Sequence, residues 1–474
     1  MKKWYALVLV LLIIQGSAFC QKNKTLENLK GEWLGKLTVQ AFELRIVFRF
    51  TEDSTGALKV FLDSPDQGAK DIPALLTKVS GDSVRIDIKS IMAHYEALLT
   101  GDTLLSGDFN QAGMKLPLTL THQRKAFVLE RPQNPKPPFD YEIREVEFVN
   151  LENQLTLSGT VTYPKGGGKF PGVVLISGSG PQNRDEELLG HKPFWVIADH
   201  LTRHGIAVLR YDDRGFGKSE GLFGEANTLD FASDARAAFS FLKNQSFVDS
   251  AKTGLAGHSE GGLIAQILGA GMKDIDFLVL LAAPGIRGDE TLLLQAEEIS
   301  RASGMSEKDI SRSQKTNKKI YAVLMKESNQ EVAADKIKKI LQRHVKKLSQ
   351  EEKQAAGLSE EYIRQMVNQV NSNWFRTFLK IDPVNYLKEI TCPVLALNGS
   401  LDLQVLPDEN LSVIEQTLIL AGNPAVTVIE PAGLNHLFQP ARTGLPGEYG
   451  QIETTFDPAV LQLITDFIIR TTKP

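Results

Sequence analysis

Gly257-His258-Ser259-Glu260-Gly261 separates two apolar stretches, Thr253 to Ala256 before it and Leu263 to Leu268 after it. The first is short enough for a buried strand and the second continues at helical length, so the chain must turn sharply from strand to helix at a serine. The two glycines remove side chains that would block such a turn, and the unpaired N–H groups of the helix's first turn face developing negative charge on whatever the serine attacks. A flexible turn with a helix-capping serine is the plain alternative. The strand before Ser259 and the small-residue helix behind it favour a nucleophile.

In a hydrolase built on this turn, the acid and then the histidine follow the serine along the chain. Only His344 and His436 lie C-terminal to Ser259. His344 sits in the basic stretch Lys336 to Lys347, read as a solvated helix face. His436 lies in Gly433-Leu434-Asn435-His436, just beyond a strand expected over Val426 to Glu430, where a loop can deliver an imidazole to the carboxyl edge of a sheet. It is the expected base, removing the Ser259 proton during attack and returning it to the leaving group. Pro393 to Asn398 reads as a core strand and Gly399-Ser400-Leu401-Asp402 as the turn after it, so Asp402 is expected to hold the histidine tautomer. Asp382 precedes that strand and Asp408 reads as a first-turn helix residue, which makes them weaker alternatives. The backbone N–H of Glu260 is one expected oxyanion donor. The second belongs to Ser179 or Gly180, in the loop Ser177-Gly178-Ser179-Gly180 that follows the apolar strand Pro171 to Ile176. Arg184 and Asp185 beyond it read either as a pair that stiffens the loop or as cleft lining.

The N-terminus predicts export to the periplasm or beyond. Met1-Lys2-Lys3 is a basic start, Ala6 to Ile14 an apolar core, and Ala18-Phe19-Cys20 a small-x-small ending, so residues 1–20 read as a cleaved signal peptide. Bulky Phe19 fits a lipid-anchoring signal at Cys20 badly. No later stretch reaches the roughly 18 apolar residues of a membrane anchor. Cleavage leaves Cys392 as the one cysteine, a small core residue with no internal disulfide partner. Loss of Lys2 and Lys3 takes the formal charge from -4 to -6, which gives no support for a nucleic-acid surface. The histidines and acids are not spaced as a metal site. His200 and His204, four residues apart, come nearest to one.

A chain of 474 residues is expected to hold two domains. Residues 21–130 carry short strand candidates between Gly, Asp, Asn and Ser turns, from Leu34 to Val39 through Leu116 to Leu120, with a last one at Phe127 to Leu129. They predict a small antiparallel barrel or sandwich, lipocalin-like as a barrel, with Trp33 at its mouth or in its core. Residues 131–140 are a proline-stiffened linker. Residues 141–474 alternate strands and helices, except that residues 287–380 hold charged helical segments, as a cap over the sheet's carboxyl edge would. Arg214-Gly215-Phe216-Gly217-Lys218-Ser219 has the composition of a phosphate loop without its spacing and reads as a surface turn.

Ser177-Gly178-Ser179-Gly180, Asp213 to Ser219, Gly257 to Gly262, Gly399 to Asp402 and Asn435-His436, in this order, resemble the α/β-hydrolase superfamily over residues 140–474. The resemblance is closest to exported bacterial carboxylesterases grouped with serine-aminopeptidase-like hydrolases. It implies an α/β-hydrolase sheet with a helical cap insertion and places Ser259, Asp402 and His436 as nucleophile, acid and base. It also gives the oxyanion hole to the N–H groups of Glu260 and of Ser179 or Gly180. Ser-Gly-Ser-Gly stands where the family commonly has a His-Gly signature. The expected activity is hydrolysis of small acyl esters through an acyl-serine, without metal or organic cofactor. The alternative is a serine aminopeptidase acting on short peptides, which needs a carboxylate such as Glu260, Asp185 or a cap acid to hold the substrate's ammonium.

Overall fold

A computed structural model describes residues 25–39, 42–111, 114–349 and 359–473. The expected signal peptide and Cys20 lie outside the described residues. The chain divides into two compact units, the first 130 residues with Gly447–Gln451, and Arg131–Pro446 with Ile452–Pro474.

In the first unit β1 (Gly31–Val39), β2 (Phe42–Glu52), β3 (Leu58–Ser64), β4 (Ala69–Ser80), β5 (Ser83–Ile88), β6 (Ala93–Thr100), β7 (Leu104–Gln111) and β8 (Met114–Gln123) form a closed antiparallel barrel. Closure comes from β8 returning to β1, with Gly35 opposite Leu120 and Glu32 opposite Gln123. Strand alternation sends one face inward: in β6, Ala93, Tyr95, Ala97 and Leu99 are buried while their neighbours face out. Phe48, Ile86, Tyr95, Leu105 and Leu118 fill the interior with Trp33, whose indole N–H donates to the Leu29 carbonyl at 2.8 Å. Trp33 is therefore a core residue. Phe127 to Leu129, expected as a further strand, forms none. The outer edge of β1 is already paired with β8, and the Phe127 N–H donates to the Glu32 carboxylate at 2.7 Å instead.

The second unit is built on a sheet of order β16-β15-β14-β13-β11-β12-β10-β9. Its strands are β9 (Tyr141–Asn150), β10 (Leu155–Pro164), β11 (Phe170–Ile176), β12 (Ala207–Tyr211), β13 (Val248–His258), β14 (Leu278–Leu281), β15 (Val394–Leu397) and β16 (Val426–Ile429). The β9–β10 hairpin joins β12 antiparallel, and the remaining pairs are parallel. Such strands are apolar on both faces because helices cover both. Pro193–Arg203 and Pro458–Thr472 pack Phe194, Leu201, Val460 and Phe467 on one face, while Thr228–Lys243, Glu260–Gly271 and Pro407–Leu420 pack Phe239, Ile264, Leu268 and Ile414 on the other. The sheet runs from β11 toward β12 on one side and toward β13 on the other. At this reversal the loops after β11 and β13 diverge and leave a crevice at the strands' carboxyl ends.

Between β14 and β15 lie the helices Gly288–Ala302, Glu307–Lys326, Gln330–Val345, Glu360–Val370 and Asn373–Phe378. Ile320, Leu324, Ala333, Ile337, Ile363 and Val367 give them a core of their own. The proline-rich stretch from residue 131 is bonded along the second unit. Buried Arg131 donates to the carbonyls of Leu189 and Ile452, and the Gln133 side-chain oxygen accepts the N–H groups of Thr455 and Phe456.

Phe48 is fully buried and stacks on Tyr95 with ring centroids 5.6 Å apart. Phe48→Ala is expected to cost the barrel roughly 3–5 kcal/mol. The cost should be read as an earlier urea midpoint in the fluorescence of Trp33.

Candidate active site

β13 ends at His258, and Ser259 bends the backbone to φ 53 and ψ -119 before the helix Glu260–Gly271 begins. A positive φ on serine is strained. The surrounding bonds hold it: Ser259 N–H donates to the Leu281 carbonyl of β14 at 2.8 Å, and its own carbonyl accepts the Gly262 N–H at 2.9 Å. A Cβ on Gly261 would stand 2.0 Å from the Ile176 carbonyl oxygen, so the helix meets the end of β11 only with glycine there.

Asp402 lies on the loop after β15 and is 1% exposed. Its Oδ1 accepts the N–H groups of Gln404 (2.7 Å) and Val405 (3.0 Å), and its Oδ2 meets His436 Nδ1 at 2.7 Å. A carboxylate so placed makes Nδ1 the protonated nitrogen and leaves Nε2 as the ring's acceptor. His436 sits on the loop after β16. Asn435 shapes this loop by accepting the N–H groups of Leu437 and Gln439, both at 3.0 Å, while Leu401 N–H donates to the Leu434 carbonyl at 2.8 Å and ties the acid's loop to it. The loop after β11 reaches the serine as well: a Cβ on Gly178 would be 3.2 Å from Ser259 Cβ. Gly178 N–H itself donates to Glu186 at 2.8 Å, and Ser179 and Gly180 follow, Gly180 at φ 95.

The weaker sequence candidates lie elsewhere. His344 bonds Thr316 within the helical insertion, Asp382 caps the Val384 N–H, and Asp408 is in the first turn of Pro407–Leu420. Arg184 and Asp185 do not pair with each other. Arg184 binds Asp212 and Glu145 of β9, whereas Asp185 binds Arg210 of β12 and Lys192, because the loop turns their side chains toward different strands. Ser219, in the glycine-rich turn after β12, donates to the Asp212 carbonyl, and buried Arg214 pairs with Asp234. Cys392 is driven up to about 12 by burial, as an inert thiol would be. The His200 and His204 rings lie 4.3 Å apart at a tilt, and no group of three metal-ligating side chains occurs among the described residues.

Three side chains unassigned by sequence, His258, Glu186 and Asp213, also meet the elbow, together with the Glu260 carboxylate weighed above as an ammonium ligand. His258 bonds Glu186 and the His436 carbonyl, and Asp213 accepts from the Ser177 hydroxyl at 2.8 Å. Glu260 accepts from the Thr228 hydroxyl at 2.6 Å and from the Trp374 indole at 2.8 and 3.0 Å. Burial drives the Glu260 carboxyl up to about 7 against the pull of those donors. It drives Asp213 to about 7 as well, opposed by Gln182 and Ser177 and reinforced by Glu186 and Glu260. The one advance signal was position: His258 and Glu260 flank Ser259.

The profile of the serine aminopeptidase S33 family matches residues 194–417, which include Ser259 and Asp402 and stop short of His436. Esterase EstD of Thermotoga maritima is 26% identical over 284 residues, 59% of this chain and 58% of EstD. The uncharacterized protein YfhR of Escherichia coli K12 is 28% identical over 119 residues, 23% of this chain and 41% of YfhR. The chain thus spans less than two thirds of the length of either relative. Among solved structures, an esterase of Pyrococcus furiosus aligns with 74% of this chain and 100% of its own at 17% identity and a TM-score of 0.43. Est1E of Butyrivibrio proteoclasticus, solved with ferulic acid, aligns with 69% and 96% at 17% identity and a TM-score of 0.40.

Glu260 and Asp213 hold their protons more tightly folded than unfolded. Their contribution to stability is therefore complete below about pH 4 and is lost as pH rises through about 7. Glu260→Gln should flatten the decline of the urea midpoint between pH 5 and 8, a decline to which one such group adds at most roughly 3 kcal/mol. An unchanged slope would show that Glu260 titrates as an ordinary carboxyl.

Proposed function

We propose that the chain, whose residues 194–417 match the serine aminopeptidase S33 family profile, is an α/β-hydrolase that acts as a serine carboxylesterase and hydrolyses small acyl esters through an acyl-serine. The observation that carries this reading is the 2.7 Å bond between buried Asp402 and His436 Nδ1, at the same sheet edge as the strained Ser259 turn. Ser259 Oγ attacks the ester carbonyl carbon while His436 Nε2 takes its proton. The N–H groups of Glu260 and of Ser179 or Gly180 receive the oxyanion, the Gly178 N–H being committed to Glu186. The bond to the alcohol oxygen breaks as His436 protonates that oxygen. Water then attacks the acyl-serine, His436 takes its proton, and the acid leaves as Ser259 recovers its hydrogen.

Two of the carboxylates that an aminopeptidase could use are engaged internally. Glu260 is bonded to Thr228 and Trp374, and Asp185 to Arg210 and Lys192. This favours an ester over a substrate held by its ammonium, and the name of the Thermotoga relative supports the same reading. The character of residues 1–20 supports a site of action in the periplasm or outside the cell. No helix of the described residues is long and apolar enough to cross a membrane.

A matched panel of short-acyl esters and aminoacyl amides tests the proposal. The esters should be turned over, with activity lost in Ser259→Ala and reduced on the order of 10³- to 10⁴-fold in Asp402→Asn. Efficient amide cleavage that requires a free amine would replace the esterase with an aminopeptidase.

A further inference from the structure

Glu186 Oε1 stands 2.9 Å from His258 Nδ1 and 2.8 Å from the Gly178 backbone nitrogen. On the other side of the same ring, His258 Nε2 stands 3.0 Å from the His436 carbonyl oxygen, with the two imidazoles 4.8 Å apart. We infer that His258 and Glu186 are positioning residues for hydrolysis, with one carboxylate ordering both the loop of the general base and the loop of the oxyanion donors. The inference rests on the serine-hydrolase reading above.

The hydrogen-bond roles follow from the partners. A backbone carbonyl only accepts, so His258 Nε2 carries a hydrogen. Glu186 Oε1 accepts the Gly178 N–H, and as a carboxylate oxygen, which only accepts, it takes the hydrogen of Nδ1 too. Both ring nitrogens are then protonated, and the pair is an imidazolium with a carboxylate. Burial works against charge on His258, but Glu186, the His436 carbonyl and Asp402 outweigh it and raise the pKa above the ordinary imidazole range. His258 and Glu186 are each 6% exposed, and a buried ion pair that loses one partner leaves an uncompensated charge. The ring is therefore held in one orientation. Glu186 is itself held in the left-handed region, at φ 51, with its N–H donating to the Asn183 carbonyl at 2.9 Å. A glutamate keeps such a backbone only where the surrounding structure fixes it.

The pair acts through other residues. Asp402 sets the His436 side chain and His258 grips the His436 backbone, so the direction of Nε2 is fixed from both ends. Glu186 meanwhile draws the Gly178 N–H inward, and the donors that follow it, Ser179 and Gly180, take their places from that anchor. A displacement of about 1 Å at such a site costs about 10²-fold in rate.

The test uses the full chain and three variants. Glu186→Gln keeps the shape but offers one acceptor oxygen and no charge; kcat should fall about 10- to 100-fold while KM stays within about threefold. His258→Gln retains an N–H able to reach the His436 carbonyl and should keep at least about ten times the kcat of His258→Leu. Each variant is checked for folding by near-ultraviolet circular dichroism, and should Glu186→Gln fail to fold, the comparison at position 258 decides. Stoichiometric labelling of wild-type Ser259 by an organophosphonate separates the two ideas: without it the hydrolase reading fails. With labelling intact, kcat within twofold of wild type in the folded variants overturns the positioning role. So does equal loss in His258→Gln and His258→Leu, or misfolding of all three, which would assign the pair to stability alone.

Discussion

Ser259 can hold φ 53 only because three pieces of backbone crowd it from separate directions. β14 accepts its N–H, the helix behind it closes on its carbonyl, and the end of β11 passes so near Gly261 that no side chain fits between. Strain of this kind persists when the surroundings over-determine it. The parallel register of β11, β13 and β14 supplies that over-determination, since Ile176 lies opposite Gly257 and His258 opposite Leu281. The same register ends all three strands at one level, so the loops that follow them share one crevice.

The crevice is furnished in two tiers. Asp402 and His436 come from loops after β15 and β16, on one side of β13, and the Ser177 to Gly180 loop comes from β11 on the other. His258 joins the two sides through Glu186 and the His436 carbonyl. From the helical insertion, Trp374 reaches Glu260, the residue beside Ser259, and stacks on Phe378 at 5.4 Å. A shift of Asn373–Phe378 would therefore be felt one peptide away from the serine.

What the sequence disclosed here was local or ordered along the chain. Strand-length apolar runs, the glycine-bounded serine, and an acid and a histidine after successive strands are patterns that need no knowledge of contacts. Asp402 and His436 lie within hydrogen-bond reach because each follows a neighbouring strand of one sheet. The contacts that escaped are between partners far apart in sequence: Glu186 with His258, Glu260 with Trp374, Ser177 with Asp213. Phe127 to Leu129 misled for the opposite reason, since its composition suits a strand but pairing depends on a free edge, and barrel closure removed it. Arg184 and Asp185 are adjacent opposite charges, yet adjacency in a loop says little about which strand each side chain faces.

Besides Asp402, three buried carboxyls, Glu186, Asp213 and Glu260, surround the Ser259 turn and pose an electrostatic problem, since like charges at short range in a poorly solvated site repel strongly. The fold answers it in two ways. Glu186 is matched by the His258 ring, whose pKa is raised, so the pair adds little net charge beside His436, the proposed base. Asp213 and Glu260 have no cation among their hydrogen-bond partners and meet a serine, a threonine, an indole and a backbone N–H instead. Burial then raises both toward neutrality, so each carries much of its proton at neutral pH. The elbow thus keeps polar anchors on every side of Ser259 while adding less negative charge than the same acids fully ionised would bring.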